Sequence, residues 1–368
     1  MRLAVVVEQL LAPVPGGTGR FTRELTAALA AGAPDGASVT TWTAWHHGEG
    51  GWIDGIGAPR RLALGPKALA RAWERGVGPV PRDVDVVLAP TLLAPPRRGC
   101  PLIVSIHDVV PWSHPETLTP RGVAFHRRMA YRAARDADAL LVPTRAVGDA
   151  LADHVPLRPD RVHVVGEGAA AAVTHPPPDA AERRAALGLP QAYLLTVSTL
   201  EPRKGLDVLL DALGRGVELP LVVVGQPGWG GLDLARAATE RGLPAARVLA
   251  LGRLPDPDLA AVLAGATVLV LPSRAEGFGL PVLEAMSAGV PVVSSDDPAL
   301  VEVGGGATVT VAVGDPAALA AAIGRVERDA ELRVELARRG LERAAHYSWG
   351  AAAGAVWDVA AVLAGRRK

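Results

Sequence analysis

The feature that most constrains this chain is a repeated alternation of short apolar runs with helix-length stretches. Leu3–Val7, Val84–Ala89, Leu102–Ile106, Ala139–Val142 and Arg161–Val165 are runs of about five largely apolar residues, the pattern of strands covered on both sheet faces. Helical stretches lie between them, including Gly19–Ala31 and Pro120–Arg135. The pattern restarts with Tyr193–Ser198, Leu219–Val224, Val248–Leu251, Val268–Leu271 and Pro291–Ser294, separated by helices at Gly205–Leu213, Asp256–Ala264 and Leu280–Ala288. Strand–helix alternation specifies parallel, doubly wound sheets. Between the two series, Gly166 to Pro190 holds His175-Pro176-Pro177-Pro178-Asp179 and a short Arg-rich helix. Consecutive prolines stiffen the chain and cannot donate ladder hydrogen bonds, so 171–187 is expected as a linker. The expected fold class is α/β: two Rossmann-like halves, 1–170 and 188–346, facing across a cleft.

Composition narrows the function classes. The chain has 368 residues, a length suited to two domains, with 49% hydrophobic and 21% charged residues, which excludes intrinsic disorder. Lys+Arg and Asp+Glu are both 38, so the wholesale basicity of a nucleic-acid-coating protein is absent and no nucleic-acid partner is expected. The single cysteine, Cys100, excludes a disulfide framework and a Cys-based zinc site. The N-terminus reads as a first strand rather than a signal peptide, and no apolar run reaches the roughly 18–20 residues of a membrane span. A cytoplasmic protein is the expectation.

After the first strand come Gly16, Gly17, Thr18 and Gly19, with a helix starting near Thr18. Glycines there let backbone N–H groups approach an anion at a helix N-terminus. A tight turn needing small residues is the plainer reading of the same loop. The spacing is not GxGxxG, and no acidic residue closes a clear second strand, which argues against a dinucleotide site.

The second half carries the stronger signal. Strand Val268–Leu271 leads into Glu276-Gly277-Phe278-Gly279, and Leu280-Pro281 opens a helix stopped near Gly289. Proline suits the first helical turn and glycine the stop. Gly277 and Gly279 present backbone N–H groups at that helix start. Glu276 falls at the carboxyl end of a strand, where open α/β sheets bind ligands. Glu284 follows eight positions later within the helix. Either carboxylate alone could be an N-cap or a solvated helix residue. Two of them beside an anion site fit acceptors of hydroxyl hydrogen bonds, as from a sugar and a ribose.

The segment Glu276–Glu284, with its flanking PS–EGFGLPVLEAM–GVPVV, resembles the E-x7-E motif of family 4 retaining glycosyltransferases of the GT-B fold. Similar matches run along the chain: Gly16–Arg20, Ser105-Ile106-His107-Asp108 with Pro111 and His114-Pro115-Glu116, Leu200–Gly205, and Pro298–Val303. The resemblance implies roles. Arg203 and Lys204 match the family's diphosphate-binding pair, a bidentate fork and a point charge suited to phosphate. Glu284 would hold ribose hydroxyls and Glu276 a sugar hydroxyl. The amides of Phe278, Gly279 and Leu280 would help seat sugar and phosphate, as would Gly16 and Gly17. His107 would contact the transferred sugar, with Asp108 either orienting it or approaching the acceptor hydroxyl. Thr199 stands where many relatives carry an arginine, leaving Arg203 and Lys204 with more of the charge. The final stretch from Tyr347 resembles the family's closing helix, expected at about 350–368 and returning to the first domain.

The same resemblance implies a nucleotide-diphosphate sugar as co-substrate, with no metal and no other cofactor. No DxD or His/Asp cluster with ligand spacing stands out, and His46-His47 reads as a solvated loop. SIHDVVPWSHPE together with TLEPRKG points to the mannosyltransferase-like subgroup, hence GDP-mannose as lead donor and a UDP-glucosyl or UDP-GlcNAc transferase as the alternative. A UDP-sugar 2-epimerase and a non-catalytic binding homologue share the fold; retention of Glu276, Glu284, Arg203, Lys204 and His107 argues against the latter. The acceptor is a glycan, glycolipid or small molecule. Ala58–Gly76, with Arg60, Arg61, Lys67, Arg71 and Arg75, can be read as a solvated helix face or as a peripheral contact with the inner membrane face. A second basic stretch comprises Arg127, Arg128, Arg132 and Arg135. Trp42, Trp45 and Trp52 suit packing better than stacking on an acceptor sugar.

Overall fold

The computed structural model describes residues 1–48, 50–228 and 230–366. The chain divides into two compact units, Met1–Gly168 with Ser348–Lys368, and Ala169–Tyr347.

The first unit is a seven-stranded sheet in the order β3-β2-β1-β4-β5-β6-β7. Its strands are β1 (Arg2–Val6), β2 (Ser38–Thr43), β3 (Arg60–Arg61), β4 (Val86–Ala89), β5 (Leu102–Ser105), β6 (Ala139–Val142) and β7 (Val162–Val164). Every pairing is parallel. The helices are α1 (Gly16–Ala31), α2 (Pro66–Glu74), α3 (Val110–Ser113), α4 (Pro120–Asp136) and α5 (Arg145–Ala152). Strands β4, β5 and β6 are buried at every residue, as continuous apolar runs between two helical layers must be.

The second unit repeats the plan with six parallel strands in the order β10-β9-β8-β11-β12-β13. After the short helices α6 (Ala171–Thr174) and α7 (Ala180–Ala186) come β8 (Leu194–Val197), α8 (Leu206–Leu213), β9 (Leu221–Val224), α9 (Leu234–Glu240) and β10 (Val248–Gly252). Then follow α10 (Asp256–Ala264), β11 (Val268–Leu271), α11 (Leu280–Ser287), β12 (Val292–Ser295), α12 (Pro298–Gly304), β13 (Val309–Val311), α13 (Pro316–Arg328) and α14 (Ala330–Ala344). In both sheets the winding direction reverses beside the first strand, between β1 and β4 and between β8 and β11. Ligands of open α/β sheets bind at the carboxyl ends of such strand pairs.

The last helix, α15 (Trp349–Gly365), belongs to the first unit and packs on α1. Trp349, Val356, Trp357 and Leu363 are buried, and the Trp357 indole N–H donates to the Leu29 carbonyl at 3.1 Å. Ala330–Gly365 passes as a membrane span by length and composition, yet the large apolar side chains of α15 are mostly buried within this unit.

Four expectations need correction. The segment 171–187 is not a free linker: α6 and α7 both pack on α10 and belong to the second unit. Strands β2, β3 and β13 were not anticipated. β2 reads SVTTWT, too polar to register as a buried run, and β3 has two residues. The first glycine-rich segment is not a loop ahead of a helix, because Gly16 and Gly17 already form the first turn of α1. Finally, His46 is not simply solvated: its Nε2 lies 2.9 Å from Glu8 Oε1. Of the tryptophans, Trp42 is buried, whereas Trp45 and Trp52 are exposed.

Candidate active site

The sequence brings Arg203 and Lys204 to the carboxyl end of β8 through a short 3-10 turn, Pro202–Lys204. That turn ends at Gly205, whose φ of 65° is left-handed, a conformation glycine adopts without penalty. A Cβ on Gly205 would strike the Pro272 carbonyl oxygen, so the glycine also lets this loop lie against the one that follows β11. Because β11 pairs directly with β8, the two loops meet at the switch point.

The second loop supplies Glu276. Its Oε1 accepts from Lys204 Nζ at 2.7 Å and from Ser273 Oγ at 2.7 Å, and its Oε2 from Arg203 Nη1 at 3.2 Å. Arg203 also donates to the Ala275 carbonyl at 2.8 Å. The Glu276, Lys204 and Arg203 side chains are 8%, 12% and 18% exposed, so the cluster is largely withdrawn from water. Burial would by itself raise the pKa of Glu276. The charges of Lys204 and Arg203, with hydrogen bonds from Lys204 and Ser273, outweigh it and hold the carboxyl at about 2. Glu276 is therefore ionised at neutral pH and serves as an acceptor, not as a proton donor. Burial and then the like charge of Arg203 push the Lys204 ammonium downward, while Glu276 resists.

A second layer fixes this cluster. Arg274 donates to both carboxylate oxygens of Asp207 at 2.8 and 2.6 Å and to the Pro202 carbonyl at 2.7 Å. Its own backbone N–H donates to the Arg203 carbonyl at 2.8 Å. Asp297 caps α12 by accepting from the Ala299 and Leu300 amides, and its other oxygen accepts from the Glu276 amide at 3.3 Å. Burial first, and the Glu276 charge second, raise the Asp297 pKa to about 6.

Helix α11 begins just past Glu276. Gly279 is its N-cap at φ 88°, and a Cβ there would collide with Leu300. Pro281 occupies the first turn, and no side chain caps it, so backbone amides and helix dipole define a partly positive end. Phe278 and Leu280 are buried, and the Phe278 ring meets Tyr347 edge-on at 5.4 Å. Glu284 is buried at 4% within α11. Thr199 lies on the same β8 loop, its carbonyl accepting from the Glu201 amide.

The remaining candidates belong to the first unit. His107 follows β5, its Nε2 2.7 Å from the Pro90 carbonyl beyond β4 and its Nδ1 4.0 Å from Glu167 Oε1. Phe21 of α1 packs edge-on against the imidazole at 4.6 Å. Burial pushes the His107 pKa below its ordinary value against the pull of the Pro90 carbonyl and Asp108, which favours the neutral ring. Asp108 Oδ1 accepts from the Val110 amide at 3.0 Å. The carbonyl of Pro90, rather than that carboxylate, therefore holds the His107 ring. Gly16 and Gly17 leave open space where a Cβ would stand, and α1 has no side-chain cap and no acidic residue in its first turn.

Sequence reasoning placed Arg203, Lys204 and Glu276 but not their direct contact. It missed Ser273, Arg274, Asp207, Asp297 and Glu167. Asp297 carried a usable signal, since Asp before Pro at a strand's end marks a helix N-cap. Glu167 carried none, lying between Gly166 and Gly168 past the last expected strand of the first half.

The model of "Glycosyltransferase Family 4" matches residues 15–171 and that of "Glycosyl transferases group 1" matches 179–343. The chain is 31% identical to a D-inositol 3-phosphate glycosyltransferase of Streptomyces avermitilis, over 99% of this chain and 83% of that one. This chain belongs to the family 4 glycosyltransferases. An O-antigen chain mannosyltransferase B of Escherichia coli is 40% identical over 43% of each chain, less than half of that relative's length. The fold of this family 4 member is GT-B, and HepE of Anabaena, solved in complex with UDP and glucose, superposes with a TM-score of 0.77 at 18% identity over 99% of this chain and 100% of that one. Among the described residues no group of three or more His, Cys, Asp or Glu side chains is placed to hold a metal ion.

Proposed function

We propose that this family 4 member is a retaining hexosyltransferase that moves a sugar from a nucleoside diphosphate to a hydroxyl acceptor, with GDP-mannose as the lead donor. The observation that carries the reading is the cluster of Arg203, Lys204 and Glu276 at the switch point of the second sheet. Breaking a glycosidic bond to a diphosphate builds negative charge on the departing phosphate, and fixed cations aimed at that charge are a strong catalytic lever. Arg203 and Lys204 supply two, with the amides at the start of α11 beside them. Before donor arrives, Glu276 neutralises both and holds them in place. A bound diphosphate would take over the cations and leave Glu276 to accept from a sugar hydroxyl. Glu284 is assigned to the ribose.

In the first unit, the neutral His107 ring is assigned to the transferred sugar and the amino end of α1, at Gly16 and Gly17, to the phosphate. Asp108, committed to the Val110 amide, is assigned to the acceptor side. No cofactor is assigned, since the two cations would perform the charge neutralisation that a divalent ion performs elsewhere. The mannose assignment draws on the SIHD and TLEPRKG segments and on the Escherichia coli mannosyltransferase; the acceptor is a glycan, glycolipid or small molecule.

The test is incubation with GDP-mannose, UDP-glucose and UDP-GlcNAc in the presence of candidate hydroxyl acceptors, with NMR of the product. A product with the donor's anomeric configuration, formed equally in EDTA, supports the reading. Inversion overturns the retaining mechanism, loss in EDTA overturns the metal-free one, and turnover without acceptor indicates an epimerase.

A further inference from the structure

The two basic stretches of the first unit do not form one continuous patch. Arg127 donates to the Pro111 carbonyl, and Arg132 is buried beside Asp136. Instead, Arg71 and Arg75 at the end of α2 meet Arg121 and Arg128 of α4 around a pocket of about 340 Å³ that Glu74 and Ala124 complete. Glu74 is 11% exposed and pairs with Arg128 at 2.8 Å and Arg121 at 3.6 Å. Those two guanidiniums are themselves 60% and 75% exposed. Among the described residues, Arg71 and Arg75 have no carboxylate partner. Two guanidiniums thus pair with one carboxylate, and two further arginines line the same pocket, Arg75 donating to the Arg71 carbonyl at 3.2 Å, in a chain whose formal net charge is zero.

We propose that this pocket binds a phosphate-bearing ligand. Like charges drawn together repel unless an anion joins them, and Glu74 offsets only two of the four, leaving a local excess of positive charge that favours an anion. Guanidinium forks match phosphate oxygens two at a time, so several can share one phosphate. The volume sits at the low end of the roughly 300–1,000 Å³ of small-molecule sites, the size for a phosphorylated sugar or a single lipid headgroup. The short Ala124 side chain keeps the space between Arg121 and Arg128 open. Glu74 splays those two arginines at a fixed separation before the ligand arrives. The chemistry is the same whether the phosphate is soluble or carried by a lipid. The site is separate from the diphosphate cluster of the second unit and does not depend on that reading.

Phenylglyoxal labelling of the full chain, read residue by residue by peptide mass spectrometry, tests it. With pyrophosphate at ten times its Kd, labelling of Arg71, Arg75, Arg121 and Arg128 should slow by about tenfold, while exposed Arg215 and Arg253 are unchanged. Protection by phosphatidylglycerol vesicles but not by pyrophosphate identifies a lipid-borne phosphate; phosphatidylcholine vesicles should protect nothing. The double variant Arg71→Ala, Arg75→Ala should abolish protection of Arg121 and Arg128, and Arg215→Ala, Arg253→Ala should leave it intact. Protection of Arg203 alone, equal protection of Arg215 and Arg253, or no protection by either probe would overturn the proposal.

Discussion

Lys204 Nζ lies 2.7 Å from Glu276 Oε1, across 72 positions of sequence. The contact exists because β8 and β11, although separated by two further strands along the chain, are neighbours in the sheet. Their following loops are then tied again by the bidentate pair of Arg274 with Asp207. A carboxylate wedged between two cations keeps the pair charged and ordered, and under the proposed function a bound diphosphate would take its place.

Replacing that carboxylate should separate binding from chemistry. Glu276→Gln removes the anion that competes for Arg203 and Lys204 but keeps an acceptor oxygen for Ser273. Calorimetry should show tighter binding of GDP or UDP, while turnover falls by about a hundredfold or more. Unchanged turnover, or weaker diphosphate binding, counts against the assigned role.

The complementary change, Lys204→Ala, should weaken a nucleoside diphosphate by about ten- to a hundredfold while the parent nucleoside loses little. Breaking a buried pair also costs on the order of 3 kcal/mol of folding stability, which a urea titration will show. Equal losses for nucleoside and diphosphate would mean that Lys204 does not meet phosphate.

Asp297 gives a pH signature. Its folded pKa, about 6, lies above the ordinary 3.8, so its contribution to stability is complete below 3.8 and lost as pH rises through 6. Asp297→Asn removes that dependence. Relative to wild type, the variant should therefore gain melting temperature as pH climbs across this window. A difference between the two proteins that stays constant with pH would refute the assignment. Glu276 acts in the opposite sense: held at about 2, it contributes stability above its unfolded value near 4.5 that disappears as pH falls toward 2.

The attachment of α15 is testable by stability alone. Trp357 is 4% exposed and bonded to the Leu29 carbonyl. Trp357→Ala should cost about 3–5 kcal/mol, and Trp357→Phe, which sacrifices mainly the hydrogen bond, about 1 kcal/mol. Equal costs would show that packing contributes little.

Much of this fold was legible because buried parallel strands are written as uninterrupted apolar runs. Strands Ala139–Val142 and Val268–Leu271 fall at the expected residues, and so does the helix Asp256–Ala264. Strand β2 was hidden because Thr40 and Thr41 break the run, although Trp42 and Thr43 are buried. The prolines at 176–178 suggested a linker, yet what decides where α6 and α7 belong is α10, about 75 residues away. For the candidate site, Glu276, Arg203 and Lys204 stood out through their glycines and prolines. Their mutual pairing did not, because strand order decides it and strand order is not a local property. Asp207, an acid in the first turn of α8, carries no local sign of its partner, because Arg274 lies 67 positions away on the loop after β11.

The first unit is assembled from both ends of the chain, whereas the second is a single uninterrupted stretch, Ala169–Tyr347. During synthesis the later-made unit can therefore finish first. The earlier one must wait, with the surface of α1 uncovered, until α15 has been made and has emerged. A free chain cut before Trp349 should hold a protease-resistant second half joined to a vulnerable first. Loss of α15 would consequently damage the amino-terminal sheet rather than the sequence next to the cut.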